Sequence, residues 1–258
     1  MRYPGGSSYV TSSMAVPPGV KWLLITNTAV FVLYFLSRIV GLEGLFAPFR
    51  LTPEKAVEGL QIWQPVTYLF LHDPTGFGHI LLNMLSLYMF GKTLEETWGT
   101  RIFLRFYFIC GVGAAFCVIL AGYLTGTQFV ATIGASGAIF GLLLAFGMLF
   151  PDAIVLFSFL FPIKAKYMVM IIGAITFLSS LQVNTGVSHI AHLGGMLFAF
   201  LLLKTAQGKQ AMYRGGRGGV SWRRQLEQKW ADYKLRRARK KFQVYMSKQN
   251  RQGGPHVN

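Results

Sequence analysis

The sequence predicts an all-α protein, a six-helix transmembrane bundle, and three observations predict it. Of its 258 residues 53% are hydrophobic and only 13% charged. That apolar excess suits a multi-span membrane protein rather than an ordinary soluble domain. Six apolar segments recur along the chain, and the basic residues gather on one side of the topology those segments imply.

The segments run near Trp22–Val40, Ile80–Leu94, Ile102–Tyr123, Ile133–Phe150, Tyr167–Leu181 and Ile190–Leu203. A span needs about 20 apolar residues, so the second and last are short. A bundle tolerates that, because neighbouring helices shield the ends. A seventh apolar stretch, Ala153–Ile163, is too short to cross and reads as an interfacial or loop segment. The connection from about Gly41 to Gly78 holds Trp63, Tyr68, Phe70 and Phe77. It reads either as a loop resting in the membrane interface or as an ordinary folded loop.

Charge sets the expected orientation. With six spans, one side holds Arg2, Lys21, Lys92, Arg101, Arg105, Lys164, Lys166 and the tail. The other holds Arg38, Arg50 and Lys55. The positive-inside rule then puts both termini in the cytoplasm.

Three regions follow: a cytoplasmic N-terminal segment (1–20), the six-span unit (21–206) and a basic cytoplasmic tail (207–258). The N-terminal segment carries no evident cleavable signal, so the first span is read as retained. From Lys204 onward there are 15 Lys and Arg against Glu227 and Asp232. This tail, with apolar residues interspersed, reads as a solvated segment or an amphipathic partner of anionic lipid. Nucleic acid is not the expected partner. Cys110 and Cys117, seven residues apart on one helix, are too far apart for a disulfide and read as small core residues.

Three polar constellations interrupt the apolar segments. The first is Gly134-Ala135-Ser136-Gly137-Ala138-Ile139-Phe140-Gly141, at the start of the fourth. A serine there sits beside backbone N–H groups without intrahelical partners, at the positive end of the helix dipole. Both features stabilise an oxyanion when serine attacks a carbonyl. The plainer alternative is an N-cap serine and a glycine packing motif, Gly137 and Gly141 being a small-xxx-small pair.

The second constellation is Ala191-His192-Leu193-Gly194-Gly195, in the last segment. Ionisable residues inside spans are costly and mark functional candidates. His192, Gly195 and Ala199 share a helix face, so small residues would let the imidazole approach Ser136. A buried hydrogen-bond role for His192 is the alternative. His189 is a rival base, closer to the membrane surface. The third constellation pairs His79 with Asn83, four residues on. Asn83 is either a donor to a developing oxyanion or helix–helix glue.

No His-Glu-x-x-His zinc motif occurs, and the aspartates are only Asp73, Asp152 and Asp232, so neither a zinc nor a paired-aspartate protease is expected. Glu95-Glu96, near Arg101, reads as a pair of interface charges. A small transporter would show internal repeats with broken helices, and none is seen.

In this order, and in these segments, the three constellations resemble the rhomboid family of intramembrane serine proteases. The resemblance extends through Leu94-Glu95-Glu96-Thr97-Trp98-Gly99 into Phe103–Gly111 and covers roughly residues 20–205. It implies a Ser136–His192 dyad without an acidic third member, no cofactor and no metal. It implies oxyanion stabilisation by His79, Asn83 and the Ser136 N–H, with Phe140 stacking on a ring and Gly134, Gly137 and Gly195 supporting the site. Substrates would be transmembrane segments of other proteins, and the expected location is a bacterial plasma membrane. A catalytically inactive relative that binds membrane clients is the alternative, against which the retention of Ser136 and His192 argues.

Overall fold

A computed structural model of the chain describes residues 15–157, 161–180 and 186–204. The N-terminal segment up to residue 14 and the basic tail from residue 205 lie outside the described residues. The expected anionic-lipid partner of the tail lies outside them too.

The chain is mostly helical. Helix α1 (Pro18–Ile39) begins on Pro17-Pro18, whose fixed φ suits a first helical turn. Its exposed N–H groups are met from a distant part of the chain. Gly19 N and Val20 N donate to the two carboxylate oxygens of Glu95, at 2.8 and 2.7 Å, and Thr100 Oγ1 donates to Glu95 Oε1. Glu95 is buried, so it is no interface charge; Glu96 is exposed and faces Lys92. The sequence reading is corrected here because the donors Glu95 serves lie some 75 residues upstream.

The long connection after α1 is folded rather than slack. It contains a 3₁₀ turn (Glu43–Phe49), α2 (Pro53–Val57), α3 (Gln64–Thr67) and a second 3₁₀ turn (Tyr68–Phe70). Buried Gln64 organises it, accepting from Thr52 N at 2.9 Å and donating to Pro48 O and Gln61 Oε1. Leu60, Ile62, Trp63 and Val66 face outward.

The second expected segment is one helical run in three pieces: α4 (Gly78–Ser86), a π-helical turn (Leu87–Gly91) and α5 (Lys92–Trp98). It is longer than its apolar stretch because its polar ends, Gly78-His79 and Glu95–Trp98, are helical too. Then come α6 (Thr100–Thr125), α7 (Ser136–Leu149), α8 (Ala165–Ser180) and α9 (Gly186–Lys204).

Two helices, α1 and α6, are long and apolar enough to cross a membrane on length and composition; α7, α8 and the stretch His189–Lys204 are shorter apolar helices. The outer faces of α1, α6 and α8 are apolar as well: Leu33, Ile39, Leu120, Met170 and Leu178 are all more than half exposed. An extended apolar exterior of this kind suits lipid rather than water.

A second expectation differs from the structure. The chain is not purely α, because Ala153–Ile163, expected to be an interfacial or loop segment, carries strands. Strands β1 (Ile154–Phe157) and β2 (Phe161–Lys164) pair antiparallel, with Ile154 opposite Lys164 and Phe157 opposite Phe161. A short apolar run bounded by Pro151 and Lys164 fits a strand pair as well as a loop, and length alone does not separate them. At the hairpin's base Asp152 accepts from Lys164 Nζ and Lys166 Nζ, which hold its carboxyl below the usual range.

The core sits where α6, α7 and α9 pack together. Ala114, Ala138, Ala145, Ala191 and Ala199 are buried there, and small side chains let the three backbones approach. Cys110 is buried in this seam, and both cysteines are free.

Candidate active site

Helix α7 begins on Ser136, with Ala135 in the N-cap position and no side-chain cap. The serine hydroxyl is therefore not spent on capping. Its Oγ lies 2.8 Å from His192 Nε2 on α9. For that nitrogen to accept the hydroxyl proton, the imidazole carries its own proton on Nδ1. The backbone N–H of Ser136, in the first turn of α7, has no carbonyl four residues back within the helix.

The approach of α9 to α7 rests on two glycines. A Cβ on Gly195 would overlap the Gly137 carbonyl, and a Cβ on Gly137 would come within 2.7 Å of the Ala114 Cβ and 3.3 Å of the Ala191 carbonyl. Any larger residue at Gly195 therefore pushes the two helices apart. Ala199, one turn further along the same face, is fully buried. The shared face of His192, Gly195 and Ala199 thus packs as its spacing predicts.

Phe140 and His192 stack, with ring centroids 4.0 Å apart and planes 5° from parallel. Phe140 stands one turn after Ser136, so one helix supplies both the hydroxyl and the wall that fixes the imidazole plane.

His79 approaches from α4. Gly134 has φ +123°, a region that favours glycine, and a Cβ there would meet the His79 ring at 3.0 Å. The same ideal Cβ lies 3.7 Å from Ser136 Oγ, so the His79 ring and the serine flank one point in the site. His79 Nδ1 accepts a long hydrogen bond, 3.5 Å, from Asp73 N. That leaves Nε2 as the donor nitrogen, on the side of Gly134.

Asn83 is buried, and its Nδ2 donates to the His79 carbonyl one turn earlier at 2.9 Å. This bond uses one of its two amide hydrogens. His189 lies beside His192, ring centroids 5.9 Å apart and nearly perpendicular, and it makes no hydrogen bond to Ser136. The residues singled out from the sequence are thus brought together in two layers: Ser136, His192 and Phe140 in one, and Gly134 and His79 against it.

Two residues of the surroundings were not anticipated. Tyr68, fully buried, donates its hydroxyl to Gly111 O at 2.7 Å, and its own carbonyl accepts from Gly134 N at 2.9 Å. It ties the first loop to α6 and to the segment leading into Ser136. His72 is fully buried, its ring 5.2 Å from that of His79. The signal for both was available: polar groups inside the apolar string Tyr68-Leu69-Phe70-Leu71-His72 are costly to bury and so stand out. No group of three or more metal-ligating side chains occurs among the described residues.

Known proteins are similar to this chain in sequence. The family model of the Rhomboid domain matches residues 59–207, more than half of the chain and all of the site. RHOMBOID-like protein 12, mitochondrial, of Arabidopsis thaliana is 28% identical over 193 residues, 70% of this chain and 56% of that protein. YdcA of Bacillus subtilis (strain 168), provisionally named a rhomboid protease, is 33% identical over 144 residues, 54% of this chain and 65% of YdcA. RHOMBOID-like protein 1 of Arabidopsis thaliana is 30% identical over 211 residues, 71% of this chain and 51% of that protein. The chain thus spans between about half and two thirds of the length of these curated relatives. On the domain match and these relatives, the chain belongs to the rhomboid family, whose members are embedded in membranes.

Proposed function

We propose that this chain is an intramembrane serine endopeptidase that cleaves transmembrane segments of other membrane proteins. The observation that carries the proposal is the 2.8 Å separation of Ser136 Oγ and His192 Nε2 at the start of a helix. In this reading His192 takes the hydroxyl proton as Ser136 attacks the peptide carbonyl, then delivers it to the leaving amine. The acyl-enzyme is hydrolysed by water through the reverse sequence. Stacking on Phe140 holds the imidazole plane, the orienting part of what an acidic third residue does in a triad.

The oxyanion would be met by the Ser136 N–H, by His79 Nε2–H and by the second amide hydrogen of Asn83. Gly134, Gly137 and Gly195 support the site by allowing close backbone approach. Among the relatives, YdcA is provisionally named a rhomboid protease, which supports a proteolytic reading.

The reading places six spans on α1, the α4–α5 run, α6, α7, α8 and α9. Both termini are cytoplasmic, as the distribution of Lys and Arg favours, and the expected membrane is a bacterial plasma membrane. The dyad and its helix start then face the outer side, where water enters. The catalytic unit is 21–206, and neither a cofactor nor a metal takes part. The basic tail would lie on anionic lipid.

The test is cleavage of a model transmembrane substrate by purified wild type and by Ser136→Ala. Cleavage by the wild type that vanishes in a folded Ser136→Ala variant supports the proposal. An inert wild type of intact fold would favour a client-binding relative without activity.

A further inference from the structure

A second polar site lies away from the dyad. Ala47, Arg50, Thr52, Glu54, Lys55, Phe129 and Ala131 line an open cavity of about 270 Å³. It is built where the first loop meets the segment that leads to Ser136. Leu51 and Thr132 exchange backbone hydrogen bonds there, and Glu54 N donates to Gln128 O.

Its two basic side chains, Arg50 and Lys55, form no ion pair among the described residues. The Arg50 guanidinium rests over the Tyr34 ring at 5.6 Å, while its Nε is buried without a hydrogen-bond partner. Thr132 Oγ1 and Gln128 Oε1, on residues whose backbones bond Leu51 and Glu54 beside the lining, are likewise buried and unpartnered. Buried polar atoms left unsatisfied in this number mark a place where a missing ligand or water belongs. Phe129 of the lining, and Leu45, Phe49 and Val130 near lining residues in sequence, are exposed apolar side chains. In a membrane-embedded protein such a rim lies where head groups meet acyl chains.

We propose that this cavity binds the phosphodiester head group of a phospholipid. Arg50 and Lys55 supply charge-assisted hydrogen bonds to the phosphate oxygens and the Thr52 hydroxyl a neutral one. Glu54 leaves a net charge of one on the cavity, which matches a singly charged diester better than a doubly charged free phosphate. The apolar rim receives the glycerol and the first methylenes. Because the cavity wall includes residues of both the first loop and the segment leading to Ser136, a bound head group joins the two. The proposal needs the membrane but not the protease reading.

Full-length protein in detergent is titrated with dihexanoyl-phosphatidylglycerol and, in parallel, with inorganic phosphate and with a soluble acidic peptide. The variants are Arg50→Gln/Lys55→Gln, Lys55→Gln alone, and Lys92→Gln as a control far from the cavity. The lipid should bind saturably, with about a tenfold loss for each charge-assisted contact removed. Lys55→Gln, a change at an exposed side chain, keeps the test valid if the double variant unfolds. Lys92→Gln should bind as wild type. Lipid binding that is unaltered in both cavity variants overturns the proposal. Inorganic phosphate binding as tightly as the lipid would assign the site to free phosphate. Binding of the acidic peptide in place of the lipid would assign it to protein. Either result overturns the lipid assignment.

Discussion

Gly195 on α9 and Gly137 on α7 touch so closely that a Cβ on Gly195 would overlap the Gly137 carbonyl. The contact lies one helical turn from His192 and one residue from Ser136, so the two reactive groups are set by a backbone-to-backbone approach. Gly195→Ala should force α9 away from α7. Overpacking of this sort costs about 1–3 kcal/mol. The melting temperature should fall, and cleavage by the folded fraction should fall with it, because the serine–imidazole contact tolerates little displacement. Thermal unfolding and cleavage measured on one sample check both.

His192, not His189, should be the base. His189 contacts His192 edge-on and makes no hydrogen bond to Ser136. His192→Ala should abolish cleavage, while His189→Ala should keep most of it. The base accepts a proton only when neutral, so cleavage should decline as the pH falls through the His192 pKa and level off above it. A pH profile of kcat/KM checks the direction. An active His192→Ala beside an inactive His189→Ala would reverse the roles.

Asn83 separates two readings. As an oxyanion donor it acts mainly in the transition state, and its loss should lower kcat more than it raises KM. Loss of one such donor costs about a hundred- to thousandfold elsewhere. Here the loss should be smaller, because the Ser136 N–H and His79 share the load. As glue, Asn83 matters through its 2.9 Å bond to His79 O, and Asn83→Ala lowers the melting temperature alone. Measuring turnover and melting on one purified sample decides between them.

Glu95 should matter for stability and not for chemistry. It lies sixteen residues beyond His79 on one helical run, or about 24 Å at 1.5 Å per residue. Glu95→Ala leaves two α1 N–H groups and the Thr100 hydroxyl without their buried acceptor. A hydrogen bond to a charged group is worth about 1.5–3 kcal/mol, so the melting temperature should drop markedly. The folded fraction should cleave at the wild-type rate, which a cleavage assay below the melting transition checks.

The parts of the site that were legible in the sequence are those where one residue type carries a constraint by itself. A serine between glycines and a histidine beside two glycines stand out in apolar helices, because each is costly there without a purpose. Their meeting followed from the small residues on the shared face. The shape of the polar ends was not legible. Glu95 looks like a surface charge until its partners, Gly19 and Val20, arrive from the other end of the fold. The π-helical turn at Leu87–Gly91 leaves no mark on an apolar pattern. Residues 154–164 show no helical period to reject and too few residues to argue from, so the hairpin appears only when the two strands meet. The start of α1 lay in plain view at Pro17-Pro18, four residues before the first tryptophan of the apolar run.

The central claim is that Ser136 is a nucleophile activated by His192. A serine-reactive fluorophosphonate probe, applied to purified wild type, Ser136→Ala and His192→Ala, tests it most directly. Attack by Ser136 Oγ on phosphorus would displace fluoride and leave a covalent adduct. The account predicts one equivalent of label on Ser136 in the wild type, none in Ser136→Ala and strongly slowed labelling in His192→Ala. Equal labelling of wild type and Ser136→Ala, or none in a folded wild type that cleaves no substrate, would contradict it.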